Sequence, residues 1–320
     1  MKSIEKSYVV GVDIGGQTTK IGVVNRRGNI VSQTVINSIY GSEEAPKFIE
    51  DLCNTIKELT TEVGLENVQG VGIGAPNANY YDGTIKDAAN LAWANGKTIE
   101  LTKEVSAHLY NIPVTLTNDA NAAAVGEMTY GAAIGMKNFI MITLGTGVGS
   151  GIVVDGKVLY GHDGFAGELG HTCAVKGGRQ CNCGKIGCLE TYTSAIGVSR
   201  TAMEILTNSK EPSLLRNIEG TVSSKDVYDA AKQGDALALN IFKFTGEMLG
   251  ESFANFVAFS APEAIVLFGG LARAQEFILP YIEKVMNDNL LSIWKGKVKI
   301  IVSALRESDT AILGASALAW

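Results

Sequence analysis

One segment, residues 167–190, constrains this chain more than any other, because it holds a histidine and four of the five cysteines. His171, Cys181, Cys183 and Cys188 are spaced so that turns can bring one imidazole and three thiolates together. A Cys₃His set is typical of structural zinc sites, in which four protein ligands fill a tetrahedral shell. The spacing therefore predicts a structural Zn²⁺ with no open position for chemistry.

Other residues around this segment leave alternatives open. Buried free thiols are the alternative to zinc, and they are disfavoured by polar neighbours such as Arg179. Cys173 is interpreted as a bystander, although it could compete as a ligand. Cys53 lies in a helical pattern and is interpreted as a core residue. Two acids, Glu168 and Glu190, flank the predicted metal site and suggest that the metal fixes a loop for ligand binding.

Length and charge limit the function classes. A chain of 320 residues is long enough for two domains. The formal net charge of −6 and the lack of clustered lysine and arginine argue against nucleic-acid binding. The sequence shows no signal peptide pattern and no apolar run near the ~20 residues that span a bilayer. A cytoplasmic protein is expected, and in that compartment close cysteine spacing favours metal over disulfide.

Two segments share one plan. Residues 8–35 and 138–160 each contain a strand, a glycine loop, a second strand, a tight turn and a third strand. They begin about 130 residues apart, which is the size of one domain. This similarity indicates two duplicated α/β domains, and chance similarity between common hairpins is the alternative.

The rest of the chain alternates helical and strand patterns, which is typical of an α/β fold. Predicted helices cover residues 44–63, 101–110, 195–208, 224–233, 236–259 and 310–319, and predicted strands cover 68–74, 113–117, 264–268 and 298–302. Ser223 and Ser224 are the expected N-cap residues of the 224–233 helix. The last helix is expected to return to the first domain.

Glycine loops follow three of the strands. Residues 13–20 place an acid at a strand end before two glycines, hydroxyls and a lysine, a pattern suited to phosphate and Mg²⁺. Residues 144–149 repeat the glycines without the acid, and residues 267–272 form a third loop between a strand and a helix. Each loop alone is equally consistent with a simple turn.

A polar run at residues 117–124 contains the catalytic candidate. Asn118 and Asp119 stand where a strand gives way to an alanine-rich helix. In the simplest interpretation one of them caps that helix. In the functional interpretation Asp119 is a general base that accepts the proton of an attacking hydroxyl, as phosphoryl transfer requires.

Taken together, these motifs resemble the ROK family (repressor, open reading frame, kinase) over nearly the whole chain. The shared motifs are DIGGQTTKIG at 13–22, GAPNANYYDGTIKDAANLAW at 74–93, TNDANAAAVGE at 117–127, TLGTGVGSGI at 143–152, GELGH at 167–171, CNCGKIGCLE at 181–190 and LFGG at 267–270. The resemblance implies a two-domain actin-like (hexokinase- or ribonuclease H-like) ATPase fold with a central cleft. The expected domains are residues 1–117 with 306–320, and residues 118–305 with the zinc loop 167–190.

The resemblance also implies a role for each matching position. Asp119 matches the base that activates the sugar 6-hydroxyl, and His171 matches a residue that binds both zinc and sugar. The sugar-binding positions implied are Asn90, Asn118, Asp119, Glu168, His171 and Glu190. The ATP- and phosphate-binding positions implied, with Asp13 linked to Mg²⁺, are Asp13, Gly15, Gly16, Gln17, Thr18, Lys20, Gly145, Thr146, Gly147, Gly269 and Gly270.

Two positions depart from the family pattern. Gln17 stands where threonine is usual, and Asn77 stands where glycine is usual. Gln17 can still donate to a phosphate, so ATP binding is expected to survive. Asn77 is expected on the sugar side, so it bears on sugar preference.

The function implied is ATP-dependent phosphorylation of a hexose 6-hydroxyl, with glucose first and N-acetylmannosamine, N-acetylglucosamine or fructose as alternatives. A sugar-responsive repressor of the same family would carry an N-terminal helix-turn-helix of roughly 60–80 residues. Only seven residues precede Tyr8, and they are not expected to form one. The expected partners are a hexose and ATP, without nucleic acid or membrane, in a homo-oligomer of two or four subunits.

Overall fold

The computed structural model describes residues 6–320, apart from the side chains at positions 307 and 308. Residues 1–5, which belong to the N-terminal stretch in which no DNA-binding helix is expected, lie outside the described residues. The chain divides into two compact units. Unit 1 comprises Met1–Gly135, Val158–Gly167 and Ala304–Trp320, and unit 2 comprises Met136–Lys157 and Glu168–Ser303.

Unit 1 is built on a mixed sheet with helices packed against it. Its strands are β1 (Tyr8–Ile14), β2 (Thr18–Asn25), β3 (Ile30–Asn37), β4 (Val68–Gly74), β5 (Ala78–Asn79), β6 (Thr84–Lys86), β7 (Thr98–Ile99) and β8 (Val114–Thr117), and its first helices are α1 (Ala45–Leu59), α2 (Leu101–His108) and α3 (Asp119–Tyr130). The main sheet runs β3-β2-β1-β4-β8, and β5-β6-β7 form a small separate sheet. The predicted opening meander is confirmed, whereas the small sheet was not predicted.

Unit 2 repeats this arrangement. Its strands are β9 (Phe139–Leu144), β10 (Val148–Val154), β11 (Lys157–Val158), β12 (Ala264–Phe268) and β13 (Lys299–Val302), and its helices are α4 (Glu190–Thr193), α5 (Ala195–Asn208), α6 (Ser224–Lys232), α7 (Ala236–Ser260) and α8 (Gln275–Asn289). The sheet order is β11-β10-β9-β12-β13. In both units the first two strands pair antiparallel and two later strands join in parallel. The predicted duplication is therefore confirmed.

Local sequence explains why these elements start where they do. Ser223 accepts the Asp226 N–H and Asp226 accepts the Ser223 N–H, so α6 begins with the predicted cap, completed as a capping box. Helix α7 is capped by Asp235, the residue before it, whose carboxylate accepts the Ala238 N–H at 2.9 Å. Each unit has its own apolar core. In unit 1, Trp93 stacks on Phe48 with ring centroids 4.5 Å apart.

The C-terminal helix α9 (Glu307–Ala317) belongs to unit 1, as predicted. Two strand glycines let its backbone lie directly on the sheet. A Cβ at Gly72 would stand 1.9 Å from the Ala315 carbonyl oxygen, and one at Gly11 would stand 2.1 Å from that of Ile312. Any larger side chain at either position would push the helix away.

The units differ from the predicted division in two places. Helix α3, placed after the predicted boundary at residue 117, belongs to unit 1 because it packs on α9, where a Cβ at Gly126 would lie 2.7 Å from the Gly314 Cα. The segment Val158–Gly167 also belongs to unit 1, although the residues on either side belong to unit 2. Within residues 6–320, no helix has the length and apolarity to cross a membrane.

Candidate active site

In unit 1 the carboxyl ends of three adjacent parallel strands bring two acids together. Asp13 of β1 is level with Gly74 of β4, and Gly74 is level with Thr117 of β8, just before Asp119. A Cβ at Gly74 would lie 3.8 Å from Asp13 Oδ1 and 3.6 Å from the Asp119 Cα. Gly74 therefore lies between the two acidic residues, against the Asp13 carboxylate and the backbone of Asp119. Gly74 is not among the site residues predicted from the sequence.

Asp119 is free of the capping role that the sequence left open. Asn118 is the N-cap of α3, because its Oδ1 accepts the Asn121 N–H at 2.7 Å. Asp119 is the first helical residue, and its Oδ1 accepts the Ala120 N–H at 2.8 Å. Asp119 as a whole residue is exposed to solvent, although protein atoms surround its carboxylate. This desolvation raises the pKa of Asp119, against the lowering effect of the backbone N–H groups.

Asp13 is perturbed in the same direction. Burial raises its pKa to about 6, and the negative charge of Asp119 adds to the rise. Lys20, the cross-strand neighbour of Asp13 on β2, lowers the pKa in part. Two acids with raised pKa at one sheet edge are typical of a functional site, since a core would not retain them.

The Asp13 carboxyl is expected to make stability depend on pH. Its pKa is about 6 in the folded protein against 3.8 ordinarily, so between these values the folded state holds the extra proton. The free energy of unfolding therefore falls as pH rises through this window, by up to about 3 kcal/mol. Asp13→Asn should be about 1–3 kcal/mol more stable than wild type at pH 7 without Mg²⁺, and the gain should shrink toward pH 5. Urea unfolding across pH 5–8 measures this, and a gain independent of pH would contradict it.

The glycine turn between β1 and β2 lies beside these acids. Gly15 donates its N–H to the Thr18 carbonyl at 3.0 Å, which closes a tight turn through Gly16 and Gln17. Gln17 and Thr18 are exposed, whereas the next residue, Thr19, is buried in a hydrogen bond to Ser38. Thr18 is thus the hydroxyl of this turn that a ligand can reach.

Asn90 lies against the same turn. A Cβ at Gly16 would stand 3.1 Å from the Asn90 carbonyl oxygen and 3.4 Å from its Cβ. The structure therefore brings a predicted sugar-binding residue next to the predicted phosphate loop. The Asn90 side chain itself is exposed, and its role stays a prediction.

In unit 2 the second glycine loop is joined to a predicted sugar-binding acid. Gly145 donates its N–H to the Gly147 carbonyl at 3.0 Å, and Thr146 at the tip is exposed. Glu190 Oε2 accepts the Val148 N–H at 3.0 Å. A Cβ placed on Gly147 would lie only 2.3 Å from the same oxygen. Glycine at 147 is therefore what allows Glu190 to sit against this loop.

The third loop lies at the same edge of the unit 2 sheet. Gly269 follows β12 with φ of 106°, a backbone conformation that favours glycine, and its Cβ would lie 2.6 Å from the Leu144 carbonyl oxygen. Gly270 has open space around it. Both glycines thus lie beside the end of β9, where the Gly145–Gly147 turn begins.

The predicted metal ligands converge. One ligand atom from each of His171, Cys181, Cys183 and Cys188 lies within 4.8 Å of the others. The Cys183 and Cys188 sulfurs are 3.7 Å apart, as are the Cys181 sulfur and His171 Nδ1. Zinc–sulfur bonds of about 2.3 Å in a tetrahedron place sulfurs about 3.8 Å apart. The four residues therefore fit a zinc ion.

The remaining donors near this cluster are oriented differently. His171 Nδ1 faces the thiols, whereas Nε2 lies 4.0 Å from Glu168 Oε2. Cys173 is exposed and is not part of the cluster, so competition from this thiol is not supported among the described residues. Cys53 is buried in the core, as predicted.

The backbone explains one departure from the family pattern. Asn77 has φ of 52°, a left-handed conformation that glycine adopts freely and asparagine tolerates better than most residues. Its Nδ2 donates to the Asp87 carbonyl at 2.9 Å. Asparagine therefore replaces glycine here in the conformation that glycine favours.

The other departure from the family pattern is Gln17. Its backbone carbonyl accepts a hydrogen bond from the Ser38 N–H at 2.9 Å, and its exposed side chain has no hydrogen-bond partner among residues 6–320.

Comparison with known proteins agrees with this arrangement. A glucokinase structure from Streptomyces griseus in complex with glucose and AMPPNP is 30% identical, with a TM-score of 0.78 and coverage of 97% of this chain and 98% of that one. The protein thus has the two-domain actin-like ATPase fold of the ROK sugar kinases. The profile of the ROK family matches residues 9–320, and the chain belongs to this family.

The curated relatives fall into two groups. The glucokinase of Halalkalibacterium halodurans is 39% identical over 284 residues, which cover 87% of this chain and 84% of the relative. The xylose repressor of Caldicellulosiruptor bescii is 28% identical over 315 residues, covering 97% of this chain and 77% of the relative. The family thus includes both kinases and repressors, and the glucokinases are the more similar group.

Proposed function

We propose that this protein is an ATP-dependent hexose kinase that transfers a phosphoryl group to the 6-hydroxyl of glucose. The observation that carries the proposal is the position of Asp119, a partly solvent-exposed residue with a desolvated carboxylate, beside Asp13 and a glycine turn at one sheet edge. The similarity to glucokinases, one of them bound to glucose and AMPPNP, supports the choice of sugar and phosphoryl donor.

In the proposed reaction the sugar 6-oxygen bonds to the γ-phosphorus while the bond from that phosphorus to the ADP oxygen breaks. Asp119 accepts the proton that the 6-hydroxyl loses. Its raised pKa suits this role, because a carboxylate of ordinary pKa is a weaker base. The remaining catalytic work is positioning and charge stabilisation, as in other phosphoryl transfers.

The glycine loops are proposed to hold the nucleotide. Gly15 and Gly145 close the two turns with their own N–H groups, and the N–H groups at Gly16 and at Thr146–Gly147, with the Thr18 and Thr146 hydroxyls, suit phosphate oxygens. Lys20 adds a positive charge, and Gly269–Gly270 leave room for the nucleoside. A Mg²⁺ ion, when bound near Asp13, would neutralise phosphate charge.

The sugar is proposed to bind through Asn90, Asn118, Glu168, His171 and Glu190. For His171 the geometry suits a double role, since Nδ1 faces the thiol cluster and Nε2 lies on the Glu168 side. A zinc ion on Nδ1 would fix the tautomer so that Nε2 carries the hydrogen and donates it to a sugar hydroxyl. Thiolate zinc ligands are compatible with a cytoplasmic location, where cysteines stay reduced.

The substrate is tested by a coupled assay that measures ADP production from ATP with each sugar in turn. Glucose is expected to give the highest kcat/KM, followed at a distance by N-acetylmannosamine, N-acetylglucosamine and fructose. A preference for an N-acetylhexosamine would correct the sugar and retain the kinase. Sugar binding without turnover of any sugar would contradict the kinase and favour a repressor-like sensor. A homo-oligomer of two or four subunits stays a prediction.

A further inference from the structure

Cys173 lies opposite Cys188, one of the four proposed zinc ligands, on two neighbouring stretches of the same loop. The two cysteines pair as an isolated antiparallel β-bridge. Their chain neighbours make its two hydrogen bonds, at 3.0 Å from the Leu189 N–H to the Thr172 carbonyl and at 2.8 Å from the Ala174 N–H to the Gly187 carbonyl. Cys173 and Cys188 are therefore a non-hydrogen-bonded pair, in which opposite residues lie closest together.

This pairing places the two cysteines at the separation that a disulfide requires. Non-hydrogen-bonded partners have Cα atoms about 4.5 Å apart and side chains on the same face of the pair. Disulfides join cysteines whose Cα atoms are about 4.4–6.8 Å apart. The backbone can therefore accept a bond between the two sulfurs without a change of register, once the Cys173 side chain rotates towards Cys188.

Cys173 is the accessible member of the pair, because it is exposed and lies outside the metal cluster. A Cβ at Gly187, the residue before Cys188, would stand 3.5 Å from the Cys173 sulfur, so this sulfur already lies beside the opposite stretch. Cys173 also lines an open pocket of about 270 Å³ together with Met248 and Phe256. A small oxidant can therefore reach the Cys173 sulfur, and rotation of an exposed side chain is fast.

Cys188, in contrast, is buried, and its sulfur faces the metal cluster. This sulfur lies 3.7 Å from the Cys183 sulfur and 3.7 Å from the His171 carbonyl oxygen. In the reduced protein it belongs to the proposed zinc shell. A covalent bond to Cys173 would remove it from that shell and leave three donors, too few to close a structural zinc site.

From this geometry we infer that Cys173 and Cys188 form a reversible disulfide when a peroxide oxidises the protein, and that this bond opens the proposed Cys₃His zinc set. The inference goes beyond the proposed kinase activity, because it concerns a covalent modification and the metal content of the loop. A thiol reductant would reverse the reaction by thiol–disulfide exchange. Transient disulfides of this kind are typical of redox-sensing proteins in the cytosol.

The oxidation takes two steps. The Cys173 sulfur bonds to one peroxide oxygen while the O–O bond breaks, and the thiol proton leaves with the other oxygen as water, which makes Cys173 a sulfenic acid. The Cys188 sulfur then gives up its bond to zinc and bonds to the Cys173 sulfur, while the S–O bond breaks and the departing hydroxide takes a proton from solvent. The two sulfurs lose two electrons in all, and the peroxide is reduced to two molecules of water.

The test treats the zinc-loaded, full-length protein with hydrogen peroxide and follows the disulfide and the metal together. Peptide mapping by mass spectrometry is expected to find Cys173 and Cys188 on one cross-linked pair of peptides, lighter by about 2 Da than the two reduced peptides. A chromogenic chelator is expected to record zinc release about fivefold faster from wild type than from Cys173→Ser. Dithiothreitol with added zinc should restore the thiols and the metal.

Cys53→Ala is the matched control, because it removes the cysteine that lies outside residues 167–190. It should form the disulfide and release zinc as wild type does, whereas Cys173→Ser should hold zinc normally without oxidant. Equal rates of zinc release from wild type and Cys173→Ser would overturn the inference. A disulfide between Cys183 and Cys188 in place of the one to Cys173 would overturn it too. Neither readout uses glucose, so these results are independent of whether the protein phosphorylates a sugar.

Discussion

Asp119→Asn is expected to lower kcat about 10²- to 10⁴-fold and to leave the dissociation constant for glucose within about threefold of wild type. The amide has nearly the same shape as the carboxylate, so it can keep the Oδ1 bond to the Ala120 N–H. It is not basic enough to accept the proton of the 6-hydroxyl. The substitution is therefore expected to slow the chemical step and to leave glucose binding in the ground state nearly unchanged.

Steady-state kinetics with a coupled assay and calorimetric titration of glucose measure the two quantities. Asp226→Asn is the matched control, because Asp226 also lies in the first turn of a helix but is partly exposed, and its hydrogen bonds among residues 6–320 are those of the α6 capping box. The control should lose at most about 1 kcal/mol of stability and no activity. A kcat for Asp119→Asn within tenfold of wild type would rule out the base assignment.

Cys183→Ser is expected to release the metal, destabilise the protein and raise KM for glucose about 10- to 100-fold. A serine hydroxyl is a poor zinc ligand, and three remaining donors would no longer close the tetrahedral shell. The KM effect follows because His171 and its neighbour Glu168 belong to the loop that the proposed zinc ion would hold. Structural zinc contributes directly to folding free energy, so the melting temperature should fall too.

Zinc content, measured by elemental analysis, is expected to drop from about one ion per chain to near zero. Cys173→Ser is the control, since this exposed cysteine lies in the same loop but outside the cluster. It should retain metal, stability and KM. If the Cys183→Ser protein bound glucose as tightly as wild type, the metal would have no role in positioning the sugar-binding residues.

Much of the fold was predictable because its strands are short buried apolar runs between glycine turns. Strands β4 and β12 and helix α5 have the bounds that the sequence predicted. The small sheet β5-β6-β7 was missed, because strands of two or three residues leave no periodic pattern. Helix α3 was placed in the wrong unit, since its partner α9 lies far along the chain and only their facing glycines reveal the contact.

The candidate site, like the fold, was predictable from the sequence only in part. The acids Asp13 and Asp119 follow recognisable strands, so their meeting at one sheet edge is a consequence of parallel pairing. The proposed metal ligands lie within one segment, and their spacing alone predicted that they would converge. The contact of Glu190 with the Gly145–Gly147 loop gives no local signal, because it joins residues of different motifs through the tertiary fold.

The docking of α9 has a consequence for the order in which the protein folds during synthesis. Most of unit 2, Glu168–Ser303, is one continuous stretch that leaves the ribosome before α9 does. The strands of unit 1 up to β8 are made before unit 2, yet their sheet stays uncovered along Gly11 and Gly72 until residues 307–317 are made. Unit 1 is therefore begun before unit 2 and completed after it, and a ribosome that stalls before residue 307 leaves a nascent chain with unit 2 largely made and an open sheet in unit 1.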